Sequence, residues 1–444
     1  MMDVLNKAIK LGLKYGASQV EAYGSSSLNR IVEIEGNDIK TVRERMSRGI
    51  GIRLIYSGGI GFAYTENLSE ESIDYTVKKA ISVAKIRGPD PYFKSFPEPK
   101  PIPRVEGIYF NSTVEFELDE AIKVARNMVE KALEEDPRVK SVAGNISLSA
   151  GEVYIANSLG MEFNYRSASA SASVFIVSKD KGLSASGFEL KHERDVRKID
   201  FDSLCRKAVK RSIDQLNSKR ITGGRMWVVL NPIAVMLLFS NTFNSAVTAD
   251  NVQEKRSFLV NKLEKEIAFR GLNIIDDPLM PEGINSRPFD AEGVASRRLT
   301  VVENGILKSY LYDTYRAQRE GIESTGHASR GYSSEPSISP SNLIINSTYE
   351  KSYEDLISEV DRGLIIRWII GAHTANIITG EFSVAVGEGY YVENGEIKYS
   401  VRQAMLGGNI LDLLAKIVAL GRDREKIGNL VTGSMLIRDQ VISA

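Results

Sequence analysis

The sequence predicts an α+β fold in two domains: an N-terminal α+β domain with an antiparallel meander, and a β-rich, barrel-like C-terminal domain with flanking helices. Three observations carry that prediction. Segments whose apolar residues alternate, as in half-buried strands, are interleaved with segments whose apolar residues recur every three or four positions, as in helices. A length of 444 residues corresponds to two or three domains. The polar run "NSKRITGG" breaks the pattern near its middle, and divides residues 1–220 from residues 221–444.

The elements follow in order. "MMDVLNKAIKLGLKYG" reads as a helix, and "RIVEIEG" and "GIRLIY", punctuated by "GND" and "SGG", read as a strand meander. In "SEESIDYTVKKAISVAKIRG", Ser69 is a helix cap, Glu70 and Glu71 suit the first turn, and Ile73, Val77, Ala80, Ile81 and Ala84 form one face. Gly88 and Pro89 stop this helix and open a proline-rich connector, about 88–107, expected to run extended across a surface. A helix over about 117–134 precedes strands joined by the turn "NSLG". The small residues from Ser167 to Ser173 suggest a strand packed closely on both faces, and a helix over about 201–217 closes the half.

The second half opens on "RMWVVLNPIAVMLLFSNTF", a strand over Met226 to Leu230 and a helix from about Ile233. Asn231 stands at the cap and Pro232 at the first helical position, where no amide donor is needed. The last helix follows "GGN", with Ile410, Leu413, Leu414, Ile417 and Val418 on its buried side. "EGNDIKTV", "ENGILKSY" and "ENGEIKYS" repeat one local solution, a tight Asn-Gly hairpin or its reverse.

Composition excludes several function classes. Lysine plus arginine equals aspartate plus glutamate, 57 each, so no basic excess is available to coat nucleic acid. The most apolar runs, "MWVVLNPIAVMLLF" and "GLIIRWIIGA", fall short of the roughly 20 residues a membrane span needs. One cysteine, Cys205, lies in an amphipathic helical pattern and reads as a small buried thiol, which fits a reducing cytoplasm.

Of the three histidines, His192 sits in "KHERD", where no second histidine follows at ligand spacing, and it reads as a solvated polar position. His327 and His373, with Glu381, would make a non-standard metal site if the fold brought them together, since zinc normally takes three protein ligands. The glycine clusters "GIGIRL" and "GGIGF" lie inside a hairpin and read as packing or bending positions. "DDPLMPEGINSRPFDAEG", with Asp276, Asp277, Arg287, Asp290 and Glu292, and "STGHASRGYSS" read as polar surface loops suited to an extended polar ligand such as a peptide.

These same loops carry a family resemblance. "GINSRPFDAEGVASRRLTVVENGILKSYLYDTYRA", "STGHASRGY" and "GGNILDLLAKIVALGRD", in this order, resemble the TldD/PmbA family, also called modulator of DNA gyrase. "GASQVEAYGSSSLNRIVEIEGNDIKTVRERMSRGIGIRLIYSGGIGFAYTENLS" resembles the same family's opening, so nearly the whole chain is covered. The resemblance implies a heterodimer in which the TldD branch holds zinc on an H-E-x-x-x-H helix and uses it to activate water against a peptide bond. A gapless placement puts those three motif positions on Leu238, Phe239 and Phe243, and the C-terminal "TGSMLIRDQVISA" has no cysteine. Both departures resemble the TldE (PmbA) branch.

The expectation is therefore a cytoplasmic, non-catalytic subunit with no metal of its own. Zinc would belong to a TldD-type partner, and the chain could form a homodimer when alone. Small or unfolded peptides would be the substrate, with Arg287, Asp290, His327, Ser329, Arg330 and His373 as candidates to face the peptide cavity. The rivals are an autonomous metallopeptidase using His327, His373 and Glu381, and a gyrase- or nucleic-acid-associated regulator.

Overall fold

The structure is a computed structural model describing residues 1–444. Helix α1 (Met2–Lys14) leads into β1 (Gln19–Glu35), β2 (Asp38–Tyr56) and β3 (Gly59–Thr65), followed by helix α2 (Glu70–Arg87). After the connector come a short helix α3 (Asn111–Val114), α4 (Leu118–Glu135), β4 (Val139–Asn157), β5 (Glu162–Asp180), β6 (Leu183–Glu193) and α5 (Phe201–Asp214). The strands form one antiparallel sheet in the order β3-β2-β1-β4-β5-β6, so residues on both sides of the connector share it.

Strand alternation sorts the two faces of that sheet. Val20, Ala22, Val32 and Ile34 of β1 point to the helices, while Tyr23 points the other way, into a cluster with Phe289, Ala291 and Ala328 of the C-terminal half. On β5 the alanines Ala170 and Ala172 pack beneath α4 and α5. The serines between them are only half-buried. The small-residue run is thus packed closely on one face, not on both.

The expected caps and faces formed with exceptions. Ser69 accepts the Ser72 amide and caps α2, whose buried face contains every residue named for it. Glycines at 59 and 61 let that helix sit on the sheet: a Cβ at Gly61 would strike the Ala80 carbonyl. At the β1–β2 turn Gly36 and Asn37, and at two later hairpins Asn304-Gly305 and Asn394-Gly395, both residues have positive φ, the type I′ geometry that matches the strand twist.

Strand β7 (Gly224–Leu230) begins the C-terminal half and runs into helix α6 (Pro232–Ser240). β7 pairs in parallel with Arg362–Ile370 and antiparallel with Met435–Ser443; Glu381–Glu393 and Met405–Asn409 complete a closed five-stranded barrel. A second, six-stranded sheet centres on β8 (Leu272–Asp276), flanked by β9 (Leu299–Glu303) and Leu343–Ser347. The final helix is shorter than expected, Ile410–Ala415. Ile417 and Val418 begin a strand instead, where β-branched side chains are better accommodated. No helix is long and apolar enough to cross a membrane.

The connector has no regular secondary structure, yet it is anchored. Phe93 and Phe96 are buried against each other, and Gln318 bonds the Lys94 amide and the Ser95 carbonyl.

Candidate functional site at the domain junction

The two loops expected at the surface are largely buried. Glu292 and Ala328 are fully covered where the outer face of the N-terminal sheet packs on them, Asp290 is 1% exposed, and Asp276 and His327 are fully covered among C-terminal residues. A solvated loop signal and a buried polar junction look alike in sequence, since both are rich in charge and glycine.

The junction is built on charges that alternation points inward. Glu21 and Arg53 are paired across β1 and β2, and Arg53 donates to both oxygens of Glu21 at 3.1 and 3.2 Å. The same guanidinium reaches Glu292 at 2.6 Å, while Glu292 also accepts the Thr314 amide at 2.7 Å. Arg330 donates to Glu21 at 2.6 Å and lies over the Tyr23 ring. Burial alone would lower the Arg53 pKa, but Glu21 and Glu292 outweigh it and hold it above the ordinary value. Glu292 is buried too, and Arg53 keeps its carboxyl below the usual range.

Two further acids move the other way. Burial, with Glu292 adding repulsion, pushes Asp290 up to about 6 and Asp313 up to about 7. Asp290 is nevertheless well supplied with donors, from the amides of Glu292, Val294 and Ala328. It organises the loop. Asp313 accepts the Arg316 amide and caps the helix Thr314–Glu320.

Each predicted site residue can now be placed. Arg287 and Ser329 line one small polar pocket. His327 is enclosed: its Nε2 lies 3.1 Å from Asp276 Oδ1 and its Nδ1 2.8 Å from Thr325 Oγ1. Nε2 makes no hydrogen bond, and neither His327 nor Asp276 has exposed surface for a substrate to reach. Arg330 gives Nη2 to Glu21 and Nε to the Ala291 carbonyl, while its Nη1 is buried without a partner. His373 sits in an exposed turn of Ala372–Thr374, and Glu381 is exposed at the start of a strand. The trio His327, His373 and Glu381 is therefore not assembled, and no group of three or more His, Cys, Asp or Glu is placed to hold a metal ion. His192, expected in solvent, is half-buried on β6, and burial lowers its pKa.

Glu21, Arg53 and Arg194 escaped the sequence reading. A signal existed for Arg53, a lone charge inside the apolar run "GIRLIY". Arg194 closes a strand and had none.

Helix α6 answers whether a metal could be mounted after β7. Leu238, Phe239 and Phe243 are at most 1% exposed, and they join a core that includes Val228, Leu230, Leu364 and Ile366 of the barrel. Phe243 has left the helix, which ends at Ser240, and its ring lies 5.6 Å from that of Phe239. Hydrocarbon offers no lone pair, so these side chains do not fit a zinc ion. Asn231 occupies the cap position without capping; its Oδ1 is buried and unpartnered.

The site therefore defines a two-part α+β protein, a meander sheet joined by a buried ionic junction to a C-terminal half that contains a closed barrel, without metal ligands on the helix after β7. Models of the PmbA/TldA metallopeptidase match in three parts: domain 1 over residues 20–84, the central domain over 112–216 and the C-terminal domain over 223–444. The chain belongs to the PmbA/TldD family. It is 31% identical to an uncharacterized protein of Methanocaldococcus jannaschii, over 99% of this chain and all of that one. It is 26% identical to metalloprotease PmbA of Escherichia coli O157:H7, over 99% of this chain and 96% of that protein. A Thermotoga maritima protein solved as a candidate modulator of DNA gyrase superposes with a TM-score of 0.91 at 27% identity, covering 99% of each chain. TldE from Thermococcus kodakarensis superposes with a TM-score of 0.90 at 24% identity, covering 99% of this chain and all of that one, a likeness of fold.

Proposed function

We propose that this chain is the non-catalytic, TldE-like subunit of a cytoplasmic zinc metallopeptidase complex that processes or degrades small or unfolded peptides. The observation that carries the reading is the hydrocarbon of Leu238, Phe239 and Phe243, where the resemblance puts the metal motif of the sister branch. In this reading the zinc and the activated water belong to a TldD-type partner, and the present chain supplies a wall of the peptide chamber. Restricting entry to unfolded or short chains needs shape and no chemistry, so a subunit without ligands can perform it. The metalloprotease name of the Escherichia coli relative supports the metallopeptidase class.

The test is zinc content together with peptide hydrolysis, measured on the chain alone and after mixing with a TldD-type partner. The reading expects the lone chain to be metal-free and inert and the mixture to hold zinc and cleave. Stoichiometric zinc and cleavage by the lone chain would overturn it.

A further inference from the structure

The pocket lined by Arg287 and Ser329 sits where the outer face of β5 meets the C-terminal half, and has a volume of about 180 Å³. Two arginines reach it and no acid lines it. Arg194 is 4% exposed and donates to the carbonyls of Ala168, Gly283, Ile284 and Ser286, so its charge is bonded but not neutralised. Burial without a countercharge drops its pKa to about 10. Arg287 is more telling. Its Nε and Nη2 are both shielded from solvent, and neither has a hydrogen-bond partner. Asp290, the acid whose charge it feels, already receives three backbone amides. Leaving two guanidinium donors buried and unmade is costly, and such groups are rare unless something else completes them.

The complement is chemically narrow. An Nε and Nη2 pair presents two parallel N–H donors, the fork that a carboxylate or phosphate accepts in bidentate fashion. Ser167, Ser329, Ser339 and Tyr165 supply hydroxyls around it. From Ser167 the same face of β5 continues through Ser169, Ser171 and Ser173, all half-buried. A polar row of small side chains therefore leads along β5 to the anion pocket.

We infer that Arg287 and Arg194 form an anion site that takes the terminal carboxylate of a peptide lying along the serine face of β5. The peptide class rests on the function proposed above; the anion site itself rests on the unmade bonds of Arg287.

The experiment is calorimetric titration of the full chain with N-acetyl-dialanine, its C-terminal amide and inorganic phosphate, with thermal unfolding followed in parallel. The acid is expected to bind at least tenfold more tightly than the amide, and to raise the unfolding midpoint where the amide does not. Arg287→Met is expected to abolish acid binding, with some loss of stability because the buried Asp290 loses the positive charge beside it. Equal binding of acid and amide overturns the site, and that comparison needs no variant. Unchanged acid binding by Arg287→Met overturns it also. Phosphate binding tenfold tighter than the acid overturns the peptide source and assigns the pocket to phosphate. None of these readouts depends on zinc or cleavage, so this inference and the subunit reading fail separately.

Discussion

Arg53 of β2 crosses the domain junction to Glu292 at 2.6 Å while holding Glu21 of the neighbouring strand, and all three side chains are 6% exposed or less. One guanidinium thus bridges two carboxylates from two halves of the chain, and Arg330 on Glu21 supplies the second positive charge. Phe93 and Phe96 of the connector lie against it, with the Phe96 ring centroid 5.0 Å from Cζ, which keeps water away. The junction is a desolvated ionic lock.

Removing one partner of such a lock strands the others. Arg53→Met is expected to destabilise the protein by about 3–5 kcal/mol, because Glu292 and Glu21 stay buried with less positive charge near them. Denaturant unfolding followed separately at the two halves should show the N-terminal sheet losing its coupling to the C-terminal half. A loss below about 1 kcal/mol would mean that the junction is held by its apolar contacts.

Asp313 makes stability depend on pH. Its folded pKa, about 7, lies above the ordinary 3.8, so between those values the folded state binds more protons than the unfolded state. The contribution is full below about pH 4 and is lost as pH rises through about 7. Asp313→Asn keeps an acceptor for the Arg316 amide and removes the charge facing Glu292. The variant should be stabilised at pH 8 by on the order of 2 kcal/mol and show a flatter stability profile between pH 4 and 7. Equal profiles for variant and parent would contradict this.

Gly61→Ala tests the seat of α2. The new methyl would meet the Ala80 carbonyl, a backbone atom that cannot rotate away. A cost of about 1–3 kcal/mol is expected from chemical denaturation. Gly182→Ala serves as the comparison in which a Cβ meets nothing, leaving only the strain of its φ of 81°.

Phe239→Ala should cost about 3–5 kcal/mol, the range for a fully buried aromatic, and leave the anion pocket's titration unchanged. If α6 were a binding surface, the order would reverse: little stability lost and binding altered.

Cys205 is 1% exposed, and burial pushes its thiol up to about 12. Alkylation at neutral pH is expected only through unfolding, so its rate should track stability across the variants above. Rapid modification of the folded chain would show that α5 opens locally.

The elements that were legible in sequence are those whose signal is short-range. The α2 face, the Ser69 cap and the Asn-Gly hairpins each lie within a window of one element, and each formed as expected. The end of α6 was less legible, because an all-apolar run has no period to mark where Phe243 leaves the helix. The polar loops misled for a different reason. Asp276, Asp290 and His327 stand in segments with the composition of solvated turns, and their burial depends on partners distant in the chain, such as Ser341 for Asp276 and Ala328 for Asp290.

By itself the sequence determined the buried face of α2, its Ser69 cap and the Asn-Gly hairpins, since apolar periodicity and turn chemistry act between neighbours. It also determined, through Leu238, Phe239 and Phe243, that the helix after β7 carries no metal ligand. Only the tertiary structure decided which charges meet. Arg53 and Glu292 stand 239 residues apart, and no periodicity links such positions. The same holds for the two unbonded nitrogens of Arg287, because a missing partner becomes visible only once every neighbour is in place.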